Sequence, residues 1–274
     1  MNEYMFAIAF AVFTWWCSTA VILRVVWLPS KSHRASLLVF SALGIAAIYG
    51  VVWSSAAPTV VGAYVGFGSA LAIWAWHELA FLLGKVSGPR RIACAPEAKG
   101  WTRFRDATAT VIHHELALAF TAAILVAMTW GLPNQVATWT FSVLWIMRLS
   151  AKLNVFVGVR NLSKDFIPNH LRYLQSYFGS VRWSPWILVS LGASSVALVL
   201  LVSEKAVSGS GFETHGLALV ATMLGLGILE HLFLAIPMPD AMLWRWALPK
   251  GNAKRSWLSP WVAVSMMDQW LPHR

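Results

Sequence analysis

VVGAYVGFGSALAIWAWHELAFLLG, residues 60–84, is the stretch that decides the fold. It exceeds the roughly 20 apolar residues needed to cross a hydrocarbon core of about 30 Å. Only His77 and Glu78 interrupt it as ionisable residues. Such a pair is costly inside a bilayer, so it raises a functional question together with the structural one. Six further apolar runs accompany it, at residues 4–27, 36–56, 106–130, 135–158, 184–204 and 214–236. The composition is 58% hydrophobic and 12% charged, with 17 tryptophans. That balance excludes an ordinary soluble globule, and Trp concentrates at membrane interfaces. The expected fold class is all-α: a polytopic transmembrane bundle of about seven helices.

Charge placement predicts the orientation. The connections Arg24 to Arg34, Lys85 to Arg105 and Arg160 to Arg182 are basic, as is the tail from Arg245 onward. The opposite side carries Lys205 alone. By the positive-inside rule the N-terminus faces outward and the C-terminus the cytoplasm. The net charge of +10 then reflects topology and attraction to anionic lipid. No recognition module accompanies it, so nucleic acid is not an expected partner. The first run lacks a basic n-region and is expected to be a retained helix. Cys17 and Cys94 form no CxxC motif and carry no expected disulfide. Residues 1–248 read as one transmembrane domain. Residues 249–274 read as an interfacial or flexible tail, and Met242-Leu-Trp-Arg-Trp246 suits the inner headgroup layer.

Two other apolar runs repeat the His–Glu oddity, as His113-His114-Glu115 and Glu230-His231. Counting from each span's centre at about 1.5 Å per residue puts all three groups roughly 6–8 Å to the basic side of the midplane. The fifth run adds Arg148, Lys152 and Asn154 to that half, and Arg148 and Lys152, four apart, share a helix face. Two cations beside three carboxylates suggest charge compensation, because a buried charge without a partner is costly.

Several chemistries fit such a layer. His77, His114, His231, Glu78, Glu115 and Glu230 are of the types that bind zinc or iron. Their spacing matches no HExxH, no di-iron ExxH and no HxxxH of membrane oxidases. Neutral imidazole also ligates haem iron, and the magnesium of a chlorophyll or another tetrapyrrole would be served alike. Gly227 lies one turn before His231, and Ala109 and Thr110 one turn before His113 and His114, leaving little bulk beside a macrocycle. The third reading is an ionic and hydrogen-bonded network that fixes helix register, and the fourth is proton or ion movement. Gly62-Ala-Tyr-Val-Gly66 reads as close helix packing. Trp15 and Trp16 read as core packing or a face for a flat apolar ligand, and Gly88-Pro-Arg-Arg91 as a sharp basic turn.

The chain resembles the photosynthetic complex assembly protein 2 family (PuhE type) of anoxygenic phototrophic bacteria over about residues 5–248. The resemblance runs through Gly88-Pro-Arg-Arg91, His114-Glu-Leu-Ala117 and Pro133-Asn-Gln-Val-Ala-Thr-Trp-Thr-Phe141. It continues through Leu144-Trp-Ile-Met-Arg-Leu-Ser-Ala-Lys-Leu-Asn154, Gly158-Val-Arg-Asn-Leu162, Leu171-Arg-Tyr-Leu174, Leu229-Glu-His231 and Pro239-Asp-Ala-Met-Leu-Trp-Arg-Trp246. It implies an integral membrane assembly factor for the reaction centre and core antenna, in a bacterial cytoplasmic (inner or intracytoplasmic) membrane, that binds or hands over bacteriochlorophyll, with those subunits and pigment-biosynthesis enzymes as partners beside the lipid bilayer. It brings no catalytic residues. The rival reading is a membrane enzyme of tetrapyrrole or carotenoid metabolism that uses the same polar groups for metal or acid–base work.

Overall fold

The computed structural model describes residues 3–161, 167–180, 184–205, 211–236 and 246. Seven helices long and apolar enough to cross a membrane form the bundle. They are α1 (Glu3–Val26), α2 (Ser30–Ser55), α3 (Val60–Leu82), α4 (Gly100–Thr129), α5 (Val136–Val157), α6 (Pro185–Lys205) and α7 (Gly211–Ala235). A 3-10 segment, Asn169–Tyr177, lies between α5 and α6. There is no strand among the described residues. Helices are what lipid demands, since each backbone polar group must find a partner within its own segment. The expected tail at 249–274 falls outside the described residues, as does the expected headgroup segment apart from Trp246.

Two helices start six residues before their apolar runs. α2 begins directly after Pro29 and takes in Ser30 to Ala35, while α4 begins at Gly100 and takes in Trp101 to Arg105. The hydropathic signal sees only the part immersed in hydrocarbon. Polar first turns continue the same backbone hydrogen bonding into the headgroup region, so the helix outlasts the signal.

α3 is the central helix. Its apolar window is 67% buried, against 11% to 33% for the other six. It packs against α2, α5, α7 and α1, and α7 in turn meets α5, α6 and α1. Gly62 and Gly66 serve this packing. A Cβ on Gly62 would sit 2.1 Å from Ala57 O, and one on Gly66 would touch Ser54 and Ala137. The GxxxG is thus filled from within the chain.

Two polar devices fasten the ends. Asn134 Nδ2 donates to Ser54 O (2.9 Å) and Ala57 O (3.2 Å), while its Oδ1 accepts from Val136 N (3.0 Å). This stitches the α4–α5 turn to the α2–α3 turn. At the opposite end, the turn at Gly88 presses into α4. The His114 N–H donates to Ser87 O (3.0 Å) and the Arg90 N–H to Ala109 O (3.2 Å). A Cβ at Gly88 would lie 2.2 Å from Ala109 O, so this contact requires glycine. Arg90 then pairs with Asp106 (3.2 Å) and donates to Tyr177 Oη (2.7 Å). That hydrogen bond, and then the neighbouring Asp106, raise the Arg90 pKa above its already high ordinary value. Arg103 donates to Tyr177 O (2.7 Å) and Phe156 O (3.2 Å). The basic turn therefore works as a clamp that holds the 3-10 segment on α4.

Candidate functional site

α3, α4, α5 and α7 bring their charged residues together. Arg148 on α5 reaches Glu230 Oε1 on α7 at 3.1 Å and Glu78 Oε2 on α3 at 3.6 Å. Lys152, one turn further along α5, meets Glu115 Oε1 on α4 at 2.6 Å. The sequence spacing places both cations on one face of α5, and each finds a carboxylate there. Glu78 Oε1 lies 3.9 Å from His114 Nε2, which is too long for a hydrogen bond.

These five charged groups line a half-open cavity of about 680 Å³ between α1, α3, α4, α5, α7 and the residues around the 3-10 segment. Its remaining wall is largely apolar, with Trp15, Trp74, Phe81 and Met223 among the lining side chains. A mostly apolar cavity of this size with a few convergent polar groups is the usual form of a small-molecule site. Trp15 belongs to it as well as to the core around Ala11 and Phe67, so both sequence readings of that tryptophan have a counterpart.

The histidines lie elsewhere. None of His77, His114 and His231 is among the lining residues. His231 is fully buried; its Nδ1–H donates to Gly227 O at 2.8 Å. Its Nε2 is then an acceptor, 2.9 Å from the Ser150 hydroxyl. With both nitrogens engaged, it offers no lone pair to a macrocycle. The room beside Gly227 is also taken, because a Cβ there would meet Met147 Cγ at 2.8 Å. His77 Nε2 is 2.9 Å from Thr121 Oγ1, and its ring packs edge-on to Trp76 and Phe141. His114 is fully buried against Phe81, with ring centroids 4.6 Å apart, and neither of its nitrogens has a hydrogen-bond partner among the described residues. His113 is exposed on the outer face of α4. Asn154 Nδ2 donates to Ser150 O (3.0 Å) and Ser190 Oγ (2.8 Å), so it joins α5 to α6 away from the cavity.

Among the described residues, no three His, Cys, Asp or Glu side chains are close enough to hold a metal ion. Axial ligation of a tetrapyrrole by imidazole likewise finds no free ring nitrogen at the cavity wall. What the wall does present is charge: guanidinium, ammonium and carboxylates with spare valence, including a buried Glu115 Oε2 and Arg148 Nε without partners. Those groups suit the carbonyl, carboxylate or hydroxyl substituents of an otherwise apolar ligand. Nothing in the sequence pattern singles out the hydroxyls that meet His231 and His77, Ser150 and Thr121, since isolated Ser and Thr are common in membrane helices.

The fold and the site together define a multi-pass helical membrane protein whose bundle carries a largely apolar cavity with an ionic wall. The chain belongs to the family described as protein of unknown function DUF3623, whose model matches residues 1–255. It is similar to a Rhodobacter capsulatus protein described as an uncharacterized 30.4 kDa protein in the puhA 5′ region. The two are 33% identical over 252 residues, covering 90% of this chain and 92% of that protein. No solved structure matches the chain.

Proposed function

We propose that the protein is an assembly factor of the bacterial photosynthetic membrane. In this reading it holds an amphipathic, pigment-like ligand in the α1/α3/α4/α5/α7 cavity while reaction-centre or core-antenna subunits are put together. The observation that carries it is the cavity itself, about 680 Å³ between the helices and largely apolar, with Glu78, Glu115, Arg148, Lys152 and Glu230 as its charged groups. The location of a relative's gene in the puhA 5′ region supports the photosynthetic setting. Bacteriochlorophyll, or a precursor carrying oxygen substituents, would meet Arg148 and Lys152 through those oxygens, without axial imidazole. The basic connections would face the cytoplasm, in line with the charge asymmetry.

The test uses the full chain purified from a phototrophic host, with the absorption spectrum and an organic extract as readouts. Ala107→Phe fills the cavity from α4 at a partly buried position and supplies the matched variant. The expected result is a bound pigment or pigment precursor in the native protein. The variant should lose it and should lower the reaction-centre content of the membranes. A native protein with no bound pigment, or a well-folded variant that sustains normal reaction-centre levels, overturns the proposal. Accumulation of a single pathway intermediate in a deletion strain would point to the rival membrane enzyme.

A further inference from the structure

A second, smaller cavity of about 320 Å³ sits where α3 ends, between the turn that follows it and the 3-10 segment. At about 30 Å³ per liquid water it has room for roughly ten waters, which suits a phosphate ester and not a pair of acyl chains. Its chemistry is opposite to that of the large cavity. Lys85 and Arg91 line it and no carboxylate does. Both side chains are exposed and neither forms an ion pair or hydrogen bond among the described residues.

Two hydroxyls on the lining residues mark it as more than a basic patch. Ser87 is 2% exposed, and its Oγ has no hydrogen-bond partner among the described residues. The Tyr173 Oη is buried and equally without one. Buried hydroxyls are normally paired, and each unpaired one calls for an explanation. Both can rotate a proton toward an acceptor. Three carbonyls at the end of α3 are already taken: Ala80 O by the Lys85 and Val86 N–H groups, Phe81 O by Gly84 N–H, and Leu82 O by His170 Nε2. Those three carbonyls do not compete for the two hydroxyl protons.

We infer that this cavity is an oxyanion site for a phosphate group, held by Lys85 and Arg91 with hydrogen bonds from Ser87 and Tyr173. The phosphate can come from the headgroup of an anionic membrane lipid or from a soluble phosphate. The position at the end of the bundle, among the basic connections, suits a lipid headgroup. This inference is independent of the ligand proposed for the large cavity.

The experiment uses the full chain, delipidated in an uncharged detergent, titrated separately with phosphatidylglycerol and with inorganic phosphate. The variants are Arg91→Gln, Ser87→Ala and, as a control for diffuse attraction, Arg34→Gln at the same basic end. Arg91→Gln is expected to weaken binding about 10-fold or more, since it removes a charge-assisted hydrogen bond. Ser87→Ala should weaken it about fivefold. Because Ser87→Ala deletes an unpaired buried hydroxyl, it should leave thermal stability unchanged or higher, which a purely structural serine would not do. Saturable binding of the lipid alone with this variant pattern supports a headgroup site, and the same pattern with inorganic phosphate supports a soluble ligand. If neither binds saturably, or Arg34→Gln weakens binding as much as Arg91→Gln, the inference fails.

Discussion

The ionic wall yields a quantitative expectation for Arg148→Gln. Arg148 is shared by two carboxylates in different surroundings: the Glu78 side chain is 9% exposed and that of Glu230 is 40% exposed. Removing the guanidinium leaves Glu78 as a buried charge without its cation. Breaking a fully buried pair in this way costs about 3–5 kcal/mol. The separation of 3.6 Å and the 37% exposure of the Arg148 side chain argue for a cost just below that range, about 2–3 kcal/mol. Loss of the half-exposed Glu230 contact adds at most about 1 kcal/mol. Glu230→Gln alone should then cost no more than about 1 kcal/mol. The discriminating variant is the double one, Arg148→Gln with Glu78→Gln. It removes the stranded carboxylate together with its cation, so it should be about 1–2 kcal/mol more stable than Arg148→Gln alone. The assay is equilibrium unfolding of the full chain in one detergent, followed by tryptophan fluorescence. Simple additivity of the two single changes, or an Arg148→Gln no worse than Glu230→Gln, would refute the reasoning.

Other substitutions probe the fastenings. Gly88→Ala should cost about 3 kcal/mol through overpacking against the Ala109 carbonyl; limited proteolysis between α3 and α4 should show the turn released. Asn134→Ala gives up three buried hydrogen bonds, a loss of about 2–4 kcal/mol in the same unfolding assay. Ser150→Ala leaves His231 Nε2 without its donor and should cost about 1–2 kcal/mol, with no change in whatever ligand co-purifies with the protein.

Much of the fold follows from hydropathy, because lipid admits few alternatives. Each of the seven apolar runs corresponds to one helix, and Pro29, Pro58 and Pro133 stand between helices, where the missing N–H breaks no helical hydrogen bond. What hydropathy could not supply was the order of burial. α1, α2 and α6 are as apolar as the others or more so, yet α3 with its glycines is the helix at the centre. Small residues permit close approach, and approach rather than greasiness sorts helices within a bilayer. The clamp at Arg90, Asp106 and Tyr177 was equally hidden. Its members are 16 and 71 residues apart in order along the chain, and basic residues at that end already have a sufficient explanation in topology.

The site was legible in depth but not in rotation. Counting along each helix put His77-Glu78, His114-Glu115, Arg148, Lys152 and Glu230-His231 at similar levels, and the ion pairs do join four helices there. Adjacent residues on a helix diverge by about 100°, so in each His–Glu pair one member can turn into the helix packing while the other faces the cavity. In all three pairs the member facing the cavity is the glutamate. The cations explain why. Arg148 and Lys152 sit on the cavity face of α5, and an ionised carboxylate must go where a cation can meet it. A neutral imidazole has a lighter requirement, one acceptor and one donor, which ordinary helix packing supplies to His231 through Gly227 and Ser150. A ligand entering the cavity therefore meets charge and not imidazole. Changes to His231 should act through packing, whereas changes to Arg148 and Lys152 should act on what the cavity holds.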